Sequence, residues 1–290
     1  MIVCLMGKAG AGKTTIAEAL EKITPDSFII DGDDLRAETS NTNIGIGGRE
    51  KNMHLGYSRA RWLSDLGFTV FIAMQSPIKE IREEYLTEKD IQIVITNNGP
   101  NPKEVAGYNK NFQADYSGID MEYEFIYDEF DPADLYSKIF PKVLVIARFQ
   151  GFHRGHKLVM EVAKRLSPNV TIALRVDNGD VLDLSKNMEL LSDLGYKVTN
   201  SPDIDDPNMV WEGFVSDYDI VVQGNPMVIE KFQNAVDSKN IRLEFVPRIG
   251  HISATKIREA IKNGDDEFAL KYVGDPKVVD FLKEEINEQP

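Results

Sequence analysis

The chain alternates short apolar runs with segments whose apolar residues recur at helical spacing. Ile2 to Met6 is unbroken apolar sequence, which predicts a strand buried on both faces. Lys13 to Ile23 follows, with Ile16, Ala17, Ala19 and Leu20 on one face of a predicted helix. The same reading predicts strands at 28–30, 69–74 and 91–96, separated by helices at 51–66 and 78–86. Residues 97–120 are polar and rich in Gly, Asn and Pro, which predicts a loop or lid. A strand at 125–127 and a helix at 132–140 complete the series.

Pro141 marks a boundary, after which the cycle restarts. Strands are predicted at 143–147, 170–175, 219–222 and 241–246, and helices at 156–166, 185–194, 226–236 and 255–263. Residues 265–288 read as two further short helices and an acidic tail. Such alternation implies a mainly parallel sheet with covering helices in each half. The expected fold class is therefore α/β, with two doubly wound parallel-sheet domains, 1–140 and 141–290. The halves share this architecture and no sequence repeat.

Composition narrows the function. The chain has 290 residues, enough for two ordinary domains. A formal net charge of −14 argues against a nucleic-acid groove, since a phosphate backbone needs a basic face. Small nucleotides and anions remain suitable partners, because local Lys and Arg clusters can override the total. The single cysteine, Cys4, excludes an internal disulfide and a Cys-rich zinc site, and reads as a small buried hydrophobe in the first strand. The apolar Met1 to Met6 is too short for a signal peptide, and no stretch approaches the ~18 apolar residues of a membrane span. A cytoplasmic protein without a membrane partner is the expectation, and homo-oligomerisation is left open.

Gly7-Lys8-Ala9-Gly10-Ala11-Gly12-Lys13-Thr14 is a full GxxxxGK[ST] loop between the first strand and first helix. Gly7, Gly10 and Gly12 let main-chain N–H groups curl round the phosphates of ATP. Lys13 supplies charge, Thr14 a Mg²⁺ ligand, and Thr15 continues the helix N-terminus toward the nucleotide. Further along stand Asp31-Gly32-Asp33-Asp34-Leu35-Arg36, Arg49-Glu50-Lys51-Asn52, Ser76-Pro77, and Tyr116-Ser117-Gly118-Ile119-Asp120-Met121-Glu122-Tyr123-Glu124. In this order the set resembles adenylylsulfate (APS) kinases over about residues 1–130. The resemblance implies that Asp33 sits at the acceptor hydroxyl and Asp31 close to the metal. It implies that Arg36, Arg49 and Asn52 hold the sulfate–phosphate end, and that Tyr116 and Ile119 contact the acceptor, Tyr116 stacking on adenine. From the residues alone, capping of a turn is the lesser alternative for Asp31 and Asp33. The chain departs from that family at Asn97-Asn98-Gly99-Pro100, where an Arg-Asp pair is usual, and at Ala114-Asp115, where a Lys precedes the lid motif.

The second half carries its own signature, Arg148-Phe149-Gln150-Gly151-Phe152-His153-Arg154-Gly155-His156. His153 and His156 can face one ligand from a helix start, and Gly155 permits close approach to phosphate. His251-Ile252-Ser253-Ala254-Thr255-Lys256-Ile257-Arg258 opens the last long helix, with Ser253 or Thr255 as N-cap. Cations in the first turn of both helices oppose the helix dipole, which points to an anion bound between them. HxGH with IS-x-T-x-I-R resembles the nucleotidyltransferase superfamily, and residues 142–290 look most like archaeal-type nicotinamide-mononucleotide adenylyltransferases. That likeness implies that His153 and His156 contact the triphosphate and that Arg148 and Arg258 grip phosphates. It implies further that Gly224 and Asn225 line the nucleotide site and that Trp211 stacks on the acceptor ring. Gly151 stands where that family usually has Pro, and 184–191 lacks its usual helix start.

The expectation is a bifunctional, Mg²⁺-dependent transferase: an APS-kinase-like phosphotransferase of sulfate assimilation followed by an HxGH nucleotidyltransferase using ATP or CTP. A ribosylnicotinamide-type kinase coupled to an adenylyltransferase is the alternative. A nucleotide-responsive binding protein with one degenerate domain is the alternative of another class.

Overall fold

The computed structural model describes residues 1–97, 112–119, 121–175, 182–201, 211–226, 229–230, 233, 237, 240–247 and 252–287. They form two compact units, Met1–Ile139 and Phe140–Pro290. Each holds a five-stranded, wholly parallel sheet flanked by helices, so the α/β doubly wound class stands.

In the first unit β1 (Ile2–Met6), β2 (Ser27–Asp31), β3 (Thr69–Ala73), β4 (Ile91–Thr96) and β5 (Met121–Glu124) lie in the order β2-β3-β1-β4-β5. Every residue of β1 and β3 is buried, as the unbroken apolar runs require of strands covered on both faces. One face packs Ile2, Cys4 and Met6 against Met53, Tyr57 and Ala60 of the long helix Ile46–Asp65. In the second unit β6 (Val143–Ala147), β7 (Val170–Leu174), β8 (Lys197–Asn200), β9 (Ile220–Gln223) and β10 (Arg242–Phe245) run in the order β10-β9-β6-β7-β8. Both orders place the first strand of the unit centrally, with neighbours added on either side. A crevice then opens at the C-terminal ends of the strands, where the chain reverses its direction of winding.

Several expected elements are corrected. The last strand of the first unit is Met121–Glu124, not 125–127; residues Tyr127–Glu129 form a 3₁₀ turn instead. β5 is an edge strand exposing alternate residues, so it carries no apolar run to recognise. β8 was not expected for the same reason: Lys-Val-Thr-Asn gains its strand state from pairing with β7. A helix over Gly32–Glu38, for which no element was expected, follows β2 because the Asp31 carboxylate caps it. The helix expected at residue 51 starts at Ile46, where Asn41 Nδ2 donates to the Gly48 carbonyl at 2.9 Å and ties the preceding loop to it. The helix expected from 156 starts at Arg154, and the terminal helices are Asp266–Val273 and Pro276–Asn287.

Candidate functional sites

The loop after β1 encloses one end of a cavity of about 340 Å³ in the first unit. Gly12 caps the helix Lys13–Glu21 at φ +97°, a left-handed conformation, and a Cβ there would lie 2.3 Å from the Phe125 ring. The loop is thus seated on an aromatic residue just past β5. Lys13 is buried, and its Nζ donates to the Lys8 carbonyl at 2.6 Å, closing the loop on itself. The Thr14 hydroxyl donates to Asp31 Oδ2 at 2.7 Å. The other oxygen of that carboxylate accepts from the Asp33 N–H at 2.7 Å and the Asp34 N–H at 3.4 Å. Asp31 therefore both caps a helix and faces the phosphate loop. Thr15, Asp33 and Arg36 also line this cavity.

Cationic and amide side chains line the same cavity. Arg49 is only 7% exposed and Asn52 only 5%, and both line the cavity. Arg49 Nε and Asn52 Oδ1 have no hydrogen-bond partner among the described residues. Asn52 Nδ2 is held by the Gly32 carbonyl at 2.9 Å, which fixes the amide's orientation. Burial, and then the neighbouring Arg36, hold the Arg49 guanidinium below the ordinary arginine range. Arg36 is anchored to the Asn43 carbonyl at 2.7 Å, and Phe112 lies 5.2 Å from Arg49. Arg36 and Arg49 thus make this part of the lining cationic, beside the unpartnered Arg49 Nε and Asn52 Oδ1.

Tyr116 is tied elsewhere. Its hydroxyl donates to the Gln75 carbonyl at 2.5 Å, its ring packs 5.6 Å from Arg82, and with Ile119 it covers the apolar core below. Arg82 escaped sequence reading altogether. It is fully buried, and donates to Ser76 O at 2.8 Å, Asp115 O at 2.6 Å and Gln92 Oε1 at 3.1 Å. Arg82 thus fastens residues 115–116 to the Ser76-Pro77 turn that lines the cavity. A single arginine in a charged helix carries no sequence signal of that role. Asp120, and Asn98 to Pro100, fall outside the described residues.

The second unit has a cavity of about 400 Å³ at the C-terminal ends of β6, β9 and β10. His153 is the N-cap of the helix Arg154–Leu166: its Nδ1 accepts from the Gly155 N–H at 3.1 Å. His156 Nδ1 in turn accepts from the His153 N–H at 3.4 Å. Acceptance at Nδ1 places each neutral ring's proton on Nε2, so Nε2–H is the donor each ring can offer. The rings stack with centroids 4.0 Å apart, and His156 rests on Phe149 at 4.7 Å. Phe149 adopts φ +47° and Gly151 φ +126°. That second angle explains the absent proline, whose ring holds φ near −65°.

Arg148, His153, His156 and Arg258 all line this cavity, with Arg258 donating a hydrogen bond to the Gln150 carbonyl. Ser253 is the N-cap of Ala254–Lys262, its Oγ accepting from the Lys256 N–H at 3.3 Å, while Thr255, Gly224 and Asn225 line the wall. Trp211 opens the short helix Trp211–Val215, and its side chain lies outside the described set. His251 and 202–210 also lie outside it. Sequence reading missed Arg175 and Gln223 in this wall, and Asn187, whose buried amide donates to the Arg148 and Phe149 carbonyls at 3.5 and 3.4 Å. No three His, Cys, Asp or Glu side chains among the described residues cluster to hold a metal. No helix of the described residues is long and apolar enough to cross a membrane.

The first unit thus has the strand–loop–helix geometry of a P-loop fold. The family model for adenylylsulphate kinase matches residues 1–97, so the chain carries an APS-kinase-like region over its first third. No curated protein matches the chain. Among solved structures, the chain is similar to the Mycobacterium tuberculosis APS kinase CysC in complex with AMPPNP and APS, at 18% identity and TM-score 0.37, over 46% of this chain and 91% of that one. It is similar to a bifunctional NMN adenylyltransferase/ADP ribose pyrophosphatase from Francisella tularensis, at 18% identity and TM-score 0.43, over 51% of each chain. Thermotoga maritima TmcAL bound with alpha-thio ATP matches at 16% identity and TM-score 0.41, over 51% of this chain and 56% of that one.

Proposed function

We propose that the chain is a bifunctional transferase of the cytoplasm. Its first unit transfers the γ-phosphoryl group of ATP to a nucleotide hydroxyl, the 3′-OH of adenylylsulfate. Its second unit transfers a nucleotidyl group from a triphosphate and releases pyrophosphate. The observation that carries the kinase reading is the pairing of a seated P-loop with a buried cationic wall across one cavity. Phosphoryl transfer needs positioning and charge neutralisation above all, and these residues supply both. Lys13 and the loop N–H groups hold the donor phosphates, and Asp33 orients the acceptor hydroxyl. Arg36, Arg49 and Asn52 hold the acceptor's oxyanion. Thr14 and Asp31, hard oxygen donors 2.7 Å apart, suit a Mg²⁺ ion that would neutralise the donor's β- and γ-oxygens.

In the second unit an acceptor oxygen attacks the α-phosphorus, and the bond to the β-phosphate oxygen breaks. His153 and His156 supply Nε2–H donors to the charge that develops there, and Arg148 and Arg258 hold the departing pyrophosphate. The reading is supported by the stacked pair at a helix start, with two arginines in the same wall.

A product assay with Mg-ATP tests both halves, using adenylylsulfate, sulfate, nicotinamide riboside and nicotinamide mononucleotide as acceptors. ADP with adenylylsulfate and pyrophosphate with one acceptor are the expected products. ADP with nicotinamide riboside would overturn the sulfonucleotide assignment, and formation of neither product with any acceptor would sink the transferase reading.

A further inference from the structure

Gln75, Ser76 and Pro77 follow β3 closely and line the first cavity. Ser76 holds φ +46°, a left-handed state that a residue with a side chain keeps only where its surroundings impose it. The constraint lies at the three carbonyls of this turn, each taken by a donor from outside it. Gln75 O accepts from the Tyr116 hydroxyl at 2.5 Å, Ser76 O from Arg82 Nη1 at 2.8 Å, and Pro77 O from the Asp115 N–H at 3.0 Å. Arg82 also donates from Nη2 to the Asp115 carbonyl at 2.6 Å and from Nε to Gln92 Oε1 on β4 at 3.1 Å. One planar guanidinium thus joins the turn, residue 115 and the sheet, which the compact ammonium of a lysine cannot do.

Neither Arg82 nor Tyr116 is among the residues that line the cavity. Arg82 is buried, and the Tyr116 ring lies 5.6 Å from it, packed on the apolar core. With its ring so committed, the hydroxyl is what Tyr116 contributes to the turn. That turn stands next to a residue assigned to the acceptor. Met74, which precedes it, has its sulfur 3.9 Å from Asn52 Nδ2. A Cβ on Gly32 would meet Met74 Cγ at 2.9 Å and Asn52 Nδ2 at 3.5 Å, so these three residues are in close packing. A displaced turn therefore disturbs Asn52 first. The phosphate loop is seated separately, on Phe125.

We infer that Arg82 and Tyr116 are a pair of positioning residues for the first unit, which hold the Gln75-Ser76-Pro77 turn by its carbonyls and so set the affinity for the acceptor without touching it. The inference rests on the kinase reading. It gives Tyr116 an anchoring role through its hydroxyl in place of stacking through its ring.

The test is steady-state ADP formation by the intact chain with Mg-ATP and adenylylsulfate, or nicotinamide riboside if the parent phosphorylates that instead. Tyr116→Phe keeps the ring and loses the hydroxyl. It is expected to raise the acceptor KM roughly three- to tenfold, the scale of one net hydrogen bond. Tyr116→Leu, which removes the ring as well, should add little to that effect. Arg82→Lys, which keeps the charge and loses the fork, should raise the acceptor KM at least about tenfold. In each variant the KM for ATP should stay within about twofold of the parent's. The double variant Arg82→Lys, Tyr116→Phe should raise the acceptor KM by less than the product of the single effects, because both act on one turn.

Parent-like kinetics in Tyr116→Phe beside a raised acceptor KM in Tyr116→Leu would assign the ring to stacking and overturn the inference. Equal rises in both KM values, a lowered urea midpoint with unchanged KM values, or single effects that simply multiply would overturn it too. Should Arg82→Lys not fold, the comparison of Tyr116→Phe with Tyr116→Leu decides alone. A parent that forms ADP with neither acceptor overturns the kinase reading, and the inference with it.

Discussion

Thr14 and Asp31 meet through a 2.7 Å hydrogen bond that joins the phosphate loop after β1 to the end of β2. The two strands are not neighbours: β3 lies between them. The contact therefore exists only once the sheet is assembled. It puts two hard oxygen donors side by side while the second carboxylate oxygen stays committed to a helix N-terminus. Exchanging Asp31 for Asn preserves size and capping but removes the charge. Asp31→Asn is expected to keep its thermal midpoint within a few degrees and to lose about a hundredfold in kcat for ADP formation, with a raised Mg²⁺ requirement. Asp31→Ala should in addition lose about 1 kcal/mol of stability, read from urea unfolding.

Arg49 is expected to trade stability against function. A buried guanidinium without a partner at Nε is costly to the fold. Arg49→Met should be as stable as the parent or more so, by up to about 1 kcal/mol. The same variant should raise the KM for the acceptor at least tenfold, and KM for ATP should stay unchanged. A marked fall in melting temperature would contradict this account.

Backbone geometry allows the two units to be tested separately. Gly12→Ala must adopt φ +97° and meet the Phe125 ring, so ADP formation should vanish while pyrophosphate release continues. Gly151→Pro imposes an angle incompatible with φ +126°, and should abolish the second reaction and leave the first intact. Parallel assays of the two products check both.

The Asp90 carboxylate gives the fold an acid-sensitive anchor. Burial opposes its ionisation, yet Arg61, the Ile2 N–H at 2.7 Å and the N–H and hydroxyl of Thr87 together hold its pKa below the ordinary value. Its contribution is therefore complete above the unfolded-state value of about 3.9, and is lost as pH falls through the lower folded value. Urea midpoints should drop in the parent as pH falls below about 4, and Asp90→Asn should show a flatter dependence over that acid window.

Cys4 should be chemically silent in the native state. Burial pushes its thiol up to about 11, against the lowering effect of the Tyr57 and Ser76 hydroxyls. Little thiolate exists at pH 8, and no surface is accessible. Iodoacetamide at pH 8 should leave the native protein unlabelled and modify it only once the first unit opens. Rapid labelling without unfolding would refute this placement.

What local chemistry dictates was readable along the chain. The unbroken apolar runs of β1, β3 and β6 could only be central strands, since nothing else buries both faces. Gly7 to Thr14 announced the phosphate loop, because its conformation needs those glycines in that order. His153, His156 and Ser253 were legible as helix-start residues. Edge strands β5 and β8 were not, for their polar residues gain strand structure from a neighbour's hydrogen bonds. Arg82, Asn187 and Gln223 were equally hidden, as each acts on carbonyls or N–H groups belonging to a different element. The sequence by itself determined the two α/β units and the groups available for phosphate chemistry. Tertiary structure alone decided which of those groups meet, because hydrogen bonds between distant segments form only after the sheets bring their ends together.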